Sequence, residues 1–178
     1  MDPIIEIGEQ APLFQLNDLS DRMLRLNDLL GWIVVVNFWS AECEWCMRVD
    51  HELLTYLDGW RDQVKVLWIA SNSNESGELI EKVATERNLS TVLMDEQQKV
   101  ADLYGAQTTP HFFVVDQEGR LRYQGAWDDI TFRHRVATRI YLPEVIEALR
   151  QNRTPEVTLT PPYGCTLVRF QAPNLYSE

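Results

Sequence analysis

The chain has 178 residues, of which 45% are apolar and 24% charged, and its formal net charge is −11 at pH 7. This length and apolar fraction are typical of one folded domain with its own core, and they exclude an intrinsically disordered chain. The acidic balance argues against nucleic acid or an anionic membrane surface as a partner, because both bind basic patches.

The first half of the chain alternates between strand and helix patterns. Apolar runs and alternating segments predict strands, whereas apolar residues every three or four positions predict helices. In chain order the predicted elements are hairpin strands at 13–16 and 23–26, a strand at Ile33–Trp39, a helix from Cys46 to Trp60, a strand at Val64–Ala70, and a helix at Glu78–Asn88 with Ser76 as its N-cap.

The second half begins in the same way and then places two strands next to each other. The turn DQEG between the last two apolar runs predicts an antiparallel pair. The predicted elements are a strand at 91–94, a helix at Gln97–Tyr104 that Gly105 ends, strands at Phe112–Val115 and Leu121–Gln124, and a last helix with Pro143 in its first turn that runs to about Arg150.

This order of elements predicts an α/β fold in which a central mixed sheet is flanked by helices, with an N-terminal β-hairpin. Residues 151–178 contain four prolines and predict an extended, proline-rich C-terminal tail. We expect one strand in this tail at Thr166–Phe170. The chain is therefore divided into a domain at 1–150 and a C-terminal extension at 151–178 that packs on the domain.

The compartment is predicted from the apolar runs and the cysteines. No apolar run approaches the roughly 20 residues that cross a bilayer, and the first residues lack the basic and apolar regions of a secretory signal. Three cysteines are an odd number and too few for a disulfide scaffold, which is typical of a reducing compartment. We expect a cytoplasmic protein.

Two of the three cysteines, Cys43 and Cys46, lie between the strand at Ile33–Trp39 and the helix that follows it. The free N–H groups and the dipole at the start of a helix favour the thiolate form of Cys43, which is the nucleophilic form. Cys46 is nearly one helical turn away, within reach of a disulfide. Cys43 can attack a disulfide, and Cys46 can then release the product.

Two other interpretations of this pair remain open. Cysteines at this spacing also form half of a zinc site, although the chain has no second such pair to complete four ligands. Either cysteine could also be an inert core residue. We favour redox chemistry, because the pair lies inside a βαβ pattern.

Three segments of the chain carry a resemblance to known families. NFWSAECEWC resembles the active-site segment of thioredoxins, and GEQAPLFQLND is similar to the opening of peroxiredoxin-type and TlpA/ResA-type redoxins. GAQTTPHFFVVDQEGRLRYQG is similar to the Thr-Pro segment of the same families. The whole pattern resembles the peroxiredoxin-like redoxins of the AhpC/TSA superfamily, which implies a thioredoxin-like fold.

The resemblance implies that Pro110 is a cis proline that faces the cysteine pair. In that arrangement the backbone of Thr109 forms an edge to which a substrate strand can hydrogen-bond beside Cys43. Thr109, Pro110 and Trp45, which stands between the cysteines, are therefore the predicted substrate-binding residues. An ordinary trans proline at the start of a strand is the alternative.

The chain departs from thioredoxin around the first cysteine. Glu42 replaces the family's tryptophan, and Glu44 with Trp45 replaces its Gly-Pro. Carboxylates near a forming thiolate raise its pKa and favour the disulfide. We hypothesise that the protein is a reductant or a slow exchanger and not a strong oxidant; the alternative is that both glutamates point into solvent.

A peroxidase interpretation is weaker. The peroxiredoxin motif has a proline seven residues and a serine or threonine three residues before the reactive cysteine. Ser40 fits the second position, but Val36 stands where the proline belongs.

Two further residues are possible accessories. Cys165, in PPYGCTLVRF, could be a third thiol that reaches the pair, but we favour a buried small residue in a strand. His111 follows Pro110 and could contact a substrate, or bind copper with both cysteines as in Sco-type relatives. For His111 we favour a strand residue with a partly exposed imidazole.

The predicted function is that of a thiol–disulfide oxidoreductase with no cofactor and no bound metal, in which Cys43 attacks and Cys46 resolves. The expected partners are a disulfide-containing protein or a small thiol, with a thioredoxin- or glutathione-type electron donor. The alternatives are a thiol peroxidase and a non-enzymatic redox-sensing or metal-binding module. Fold alone does not decide among them.

Overall fold

The computed structural model describes residues 5–171, so residues 1–4 and 172–178 lie outside the described part of the chain. Its strands are β1 (Gln15–Asp18), β2 (Met23–Arg25), β3 (Ile33–Trp39), β4 (Val64–Ala70), β5 (Val92–Met94), β6 (Thr108–Thr109), β7 (His111–Val115), β8 (Leu121–Gly125) and β9 (Cys165–Thr166). Its helices are α1 (Glu44–Trp60), α2 (Gly77–Glu86), α3 (Lys99–Tyr104) and α4 (Tyr141–Arg150), and a 3₁₀ turn follows β2 at Leu26–Leu29.

Seven strands form one mixed sheet in the order β2-β1-β5-β4-β3-β7-β8. β3, β4 and β5 are parallel to one another, as the alternation of strands and helices predicts. β7 and β8 add the predicted antiparallel edge, and the β1–β2 hairpin pairs with β5 at the other end. The predicted mixed sheet with an N-terminal hairpin is confirmed.

β3 lies inside the sheet between β4 and β7, and every one of its side chains is buried. Strand geometry alternates those side chains between the two faces. Val35 and Trp39 contribute to the core under α1, α2 and α4, whereas Val36 and Phe38 contribute to the core under α3 and the N-terminal segment. β3 therefore ends in the interior, and the loop that follows it delivers Cys43 to the edge of the first core.

The boundaries of the helices follow the sequence closely. Ser76 is the N-cap of α2, and its hydroxyl accepts from the amide of Leu79 at 3.2 Å. Gly105 ends α3 in the left-handed conformation. α3 begins at Lys99, two residues later than predicted, because Gln98 itself has a positive φ of 57°. In the described part of the chain, no helix is both long and apolar enough to cross a bilayer.

Residues 151–171 run back over the domain and contact several of its regions. Thr160 bonds to the backbone of Gln124 and Ala126 and to the Tyr123 hydroxyl. A Cβ at Gly125 would overlap Thr160, so only glycine admits the tail here. The predicted strand at Thr166–Phe170 is wrong in its position: the tail pairs at Cys165–Thr166, with the equally unpredicted short strand β6.

Candidate active site around Cys43

Cys43 is the N-cap residue of α1, and Cys46 lies in the first turn of this 17-residue helix. Both side chains are buried, with 3% of Cys43 and none of Cys46 exposed. This is the predicted position at the junction of β3 and α1. The helix N-terminus favours negative charge on the Cys43 sulfur when the residue is reduced.

The loop between β3 and Cys43 is held by a carboxylate that the sequence analysis missed. Glu75 accepts from the Ser40 hydroxyl and from the amides of Ala41 and Glu42, the latter two at 3.1 and 3.2 Å. The sequence around Glu75, SNSNES, predicts only a loop. Its carboxylate satisfies the amides just before α1 and so fixes the approach of the chain to Cys43.

The Thr109–Pro110 segment faces Cys43 across the site. The peptide bond between these two residues is cis. The carbonyl oxygen of Thr109 lies 3.0 Å from the Cys43 sulfur, and Thr109 is fully buried. The structure thus brings Thr109 and Pro110 next to the cysteine, as the resemblance implies.

Cys43 forms a disulfide with Cys165, and their Cα atoms are 6.1 Å apart. Cys46 is the free, buried thiol. The interpretation of Cys165 as an ordinary buried strand residue is therefore wrong. β9 pairs antiparallel with β6 and sets Cys165 directly opposite Thr109, and this pairing across the fold brings its sulfur to Cys43.

Beneath the cysteines lies a second feature that the sequence analysis missed, a buried carboxylate. Asp50 is 1% exposed and accepts from the indole N–H groups of Trp39 and Trp68 at 2.7 and 3.0 Å. Arg87 donates to the same carboxylate at 3.0 Å and to the carbonyl of Ala41 at 2.8 Å. The sequence carried one signal of this buried carboxylate: Asp50 follows Cys46 by four residues and so lies on the apolar helix face that carries Val49 and Leu53.

This environment favours the protonated form of the Cys46 thiol over its thiolate. Burial raises the pKa of Cys46 above its ordinary value, and the negative charge of Asp50 raises it further. The backbone of Ser40, the side chain of Thr109 and the positive charge of Arg87 act in the opposite direction and lower the pKa of Cys46. Cys43, at the helix end, is therefore better suited than Cys46 to be a thiolate.

The residues beside the cysteines are arranged as an exposed acidic rim with one aromatic contact. Glu42 and Glu44 are exposed. Trp45 is partly buried, and its ring contacts that of Tyr163 edge-on, with centroids 5.0 Å apart. Trp45 therefore contacts the tail beside Cys165.

His111 does not face the cysteines, and its imidazole is buried, with only 5% exposed, not partly exposed as expected. Its ring packs on Phe113, which belongs to the core on the sheet face opposite α1. The reason is strand alternation, since His111 and Phe113 are two residues apart in β7. Burial lowers the pKa of His111 to about 3, and its Nδ1 accepts from the amide of Gln107.

The residues that matter for the peroxidase and the metal-binding interpretations are arranged as follows. Val36, at the proline position of the peroxidase motif, is buried in β3, and the Ser40 hydroxyl donates to Glu75. Within residues 5–171, no group of three or more His, Cys, Asp or Glu side chains is arranged to hold a metal ion.

Known proteins similar to this chain include thiol-disulfide oxidoreductases. The thiol-disulfide oxidoreductase ResA of Geobacillus thermodenitrificans is 31% identical over 119 residues, which cover 66% of this chain and 68% of that protein. An uncharacterized conserved protein from Geobacillus kaustophilus has a similar structure, with a TM-score of 0.86, 27% identity and coverage of 94% of both chains.

A putative thiol:disulfide interchange protein DsbE from Chlorobium tepidum shares the fold, with a TM-score of 0.65, 21% identity and coverage of 83% of this chain and 97% of that one. The family model of the AhpC/TSA family matches residues 7–124, a span that runs from before β1 into β8 and includes both Cys43 and Cys46. The chain therefore belongs to the AhpC/TSA family.

Proposed function

We propose that the protein is a thiol–disulfide oxidoreductase whose central residue is Cys43. The observation that carries this proposal is the position of the Cys43 sulfur, at the N-terminus of α1, in a disulfide and 3.0 Å from the Thr109 carbonyl. A sulfur at a helix N-terminus is a good leaving group and a good nucleophile, because its thiolate is stabilised there. The similarity to ResA supports the same assignment.

The roles follow from the chemistry of exchange. Cys43 attacks a disulfide sulfur and becomes part of a mixed disulfide, and Cys46 resolves it by attacking the Cys43 sulfur. Trp45, Thr109 and Pro110 hold the exchange partner against Cys43. The proposed partners are a disulfide-containing protein or a small thiol, with a thioredoxin- or glutathione-type donor.

The acidic rim sets the proposed direction of the reaction. Glu42 and Glu44 lie on either side of Cys43 in the chain, and both carry exposed carboxylates. Their negative charge opposes the thiolate and so favours the oxidised state of Cys43, but only weakly, because both carboxylates are exposed to solvent, which was the alternative interpretation of these residues. We therefore place the protein among the reductants or slow exchangers. Separately, we propose a cytoplasmic location, with residues 1–150 as the redoxin domain and 151–178 as its extension.

Turnover measurements test the proposal. With glutathione disulfide as oxidant and a small dithiol as reductant, we expect Cys43→Ser to lower the rate to that of the uncatalysed reaction. We expect Cys46→Ser to keep part of the wild-type rate, because Cys43 persists and only the resolving thiol is lost. A Cys43→Ser protein that is folded by circular dichroism and turns over at the wild-type rate would contradict the proposal.

A further inference from the structure

The tail crosses the active site as a short strap, residues 161–166, that is anchored at both ends. On one side Thr160 is buried among Tyr123 and Ala126. On the other side Leu167 is 4% exposed, and its amide donates to the carbonyl of Gln107 at 3.0 Å. Neither anchor involves a cysteine, so both hold the strap whether or not the disulfide is present.

The strap occupies the backbone edge that the Thr-Pro segment offers. Thr109 pairs with Cys165, and Thr108 pairs with Thr166, in antiparallel register. Gly164 makes this approach possible, because a Cβ there would overlap the Thr109 carbonyl and come within 2.9 Å of the Pro110 ring. An extended polypeptide cannot pair with this edge while the strap is in place. The partner that the edge holds against Cys43 is the chain's own Cys165.

The three cysteine residues differ in their exposure to solvent. Cys43 is 3% exposed and Cys46 is fully buried, whereas Cys165 is partly exposed. Exchange requires a thiolate to approach the sulfur that it attacks. An external thiolate that meets the Cys43–Cys165 disulfide can therefore approach the Cys165 sulfur and not that of Cys43.

We propose that Cys165 is the cysteine that exchanges with external thiols and disulfides, and that it passes the exchange inward to Cys43. This inference rests on the proposed function and refines it: the disulfide that Cys43 attacks is the mixed disulfide on Cys165, and not the external disulfide itself. The substrates are low-molecular-weight thiols and disulfides, because the strap fills the edge that an extended polypeptide would need.

Reduction proceeds in two steps. The thiolate of an external thiol attacks the Cys165 sulfur, the Cys43–Cys165 bond breaks, and Cys43 leaves as a thiolate at the α1 N-terminus. A second external thiolate attacks the external sulfur of the mixed disulfide on Cys165. An external disulfide is released, and Cys165 leaves as a thiolate. Two external thiols have each lost one electron and one proton, and the two protein sulfurs have gained them.

Oxidation is the reverse sequence. The Cys165 thiolate attacks an external disulfide, keeps one half as a mixed disulfide and releases the other half as a thiolate. Cys43 then attacks the Cys165 sulfur and releases the second half. The Cys46 thiolate can subsequently attack the Cys43 sulfur, which forms Cys43–Cys46 and frees Cys165 without any net transfer of electrons.

Cysteine variants treated with glutathione disulfide distinguish this route from direct attack by Cys43. In Cys43→Ser we expect one glutathione per chain, on Cys165 by peptide mapping, and none in Cys43→Ser/Cys165→Ser, because Cys46 is buried. In oxidised Cys46→Ser we expect the Cys43–Cys165 disulfide with no glutathione retained. Two results would overturn this relay of exchange from Cys165 to Cys43: glutathione bound to Cys43 in Cys46→Ser, or no glutathione bound to Cys165 in Cys43→Ser.

A displaced thiol provides the matched control. In Cys165→Ser/Thr166→Cys the thiol moves to the exposed neighbour on the same strand, whose side chain points to the other face. We expect this variant to retain glutathione, since Cys43 cannot reach the adduct. We expect both this variant and Cys165→Ser to turn over more slowly than the wild type, because neither can pass the exchange to Cys43. Circular dichroism and urea unfolding check that both variants are folded.

The outcomes for the relay and for the proposed function are separable. If Cys165→Ser turns over like the wild type while Cys43→Ser is inactive, the relay is wrong and the oxidoreductase assignment stands. If Cys43→Ser also turns over like the wild type, the proposed function itself is wrong.

Discussion

Replacement of Asp50 by alanine is expected to lower the free energy of unfolding by about 3 kcal/mol. The substitution removes the acceptor of two indole N–H groups and leaves the guanidinium of Arg87 without its carboxylate. Breaking a buried ion pair from one side typically costs about 3–5 kcal/mol. We expect a loss at the lower end of this range, because the Arg87 side chain is 18% exposed and therefore partly solvated.

Urea unfolding at pH 7 measures this loss, with Asp58→Ala as the matched control. Asp58 lies on the same helix as Asp50 and pairs at 2.8 Å with Arg61, just past the helix end. Because the Asp58 side chain is 93% exposed, we expect Asp58→Ala to cost less than about 1 kcal/mol. Asp50→Asn should fall between the two, since an amide oxygen still accepts from an indole. Equal stabilities of the two alanine variants would show that Asp50 does not hold this network together.

The second large effect is a loss of stability in mild acid that comes from His111. Burial lowers its pKa to about 3, from an ordinary value of 6.5. Between these values the unfolded chain binds a proton at this residue and the folded chain does not. Stability from His111 is thus complete above pH 6.5 and decreases by about 1.4 kcal/mol per pH unit below it. From pH 7 to pH 5 the loss is about 2 kcal/mol.

His111→Asn isolates this contribution. The asparagine oxygen can accept from the Gln107 amide in place of Nδ1, but it does not titrate. Because the carboxylates of the two proteins are the same, urea unfolding at pH 7 and pH 5 should show a drop that is about 2 kcal/mol larger for the wild type. If the free energy of unfolding fell equally in the two proteins between pH 7 and pH 5, His111 would gain its proton in the folded state, and this prediction would be wrong.

The local features of the site could be predicted from the sequence. Cys43 stands at the junction of β3 and α1 because an apolar run ends there and a helical period begins. Ser76 caps α2, and Gly105 ends α3, for equally local reasons. The position of Pro110 opposite Cys43 was implied by the resemblance to redoxins, not by periodicity.

The networks around the cysteines could not be predicted in this way. Asp50 is polar on a buried helix face, which is a visible irregularity, but its partner Arg87 lies 37 residues away on the chain. Glu75 reaches the loop before Cys43 from 34 residues away. Hydrogen bonds of this range depend on how strands and helices stack, and no spacing in the sequence encodes that arrangement.

The sequence by itself determined the long strands and the helices of the domain and which cysteine caps α1, because both depend on neighbours within a turn or two; the short strands β6 and β9 were not determined in this way. Only the tertiary structure decided which sulfur bonds to Cys43. Cys165 is 122 residues away, and it reaches Cys43 because β9 pairs with β6 and Gly164 lets the backbones meet. The entropy lost on closing so long a loop must be compensated by the packing of Thr160 and Leu167 at the two ends of the strap, and that packing exists only in the folded chain.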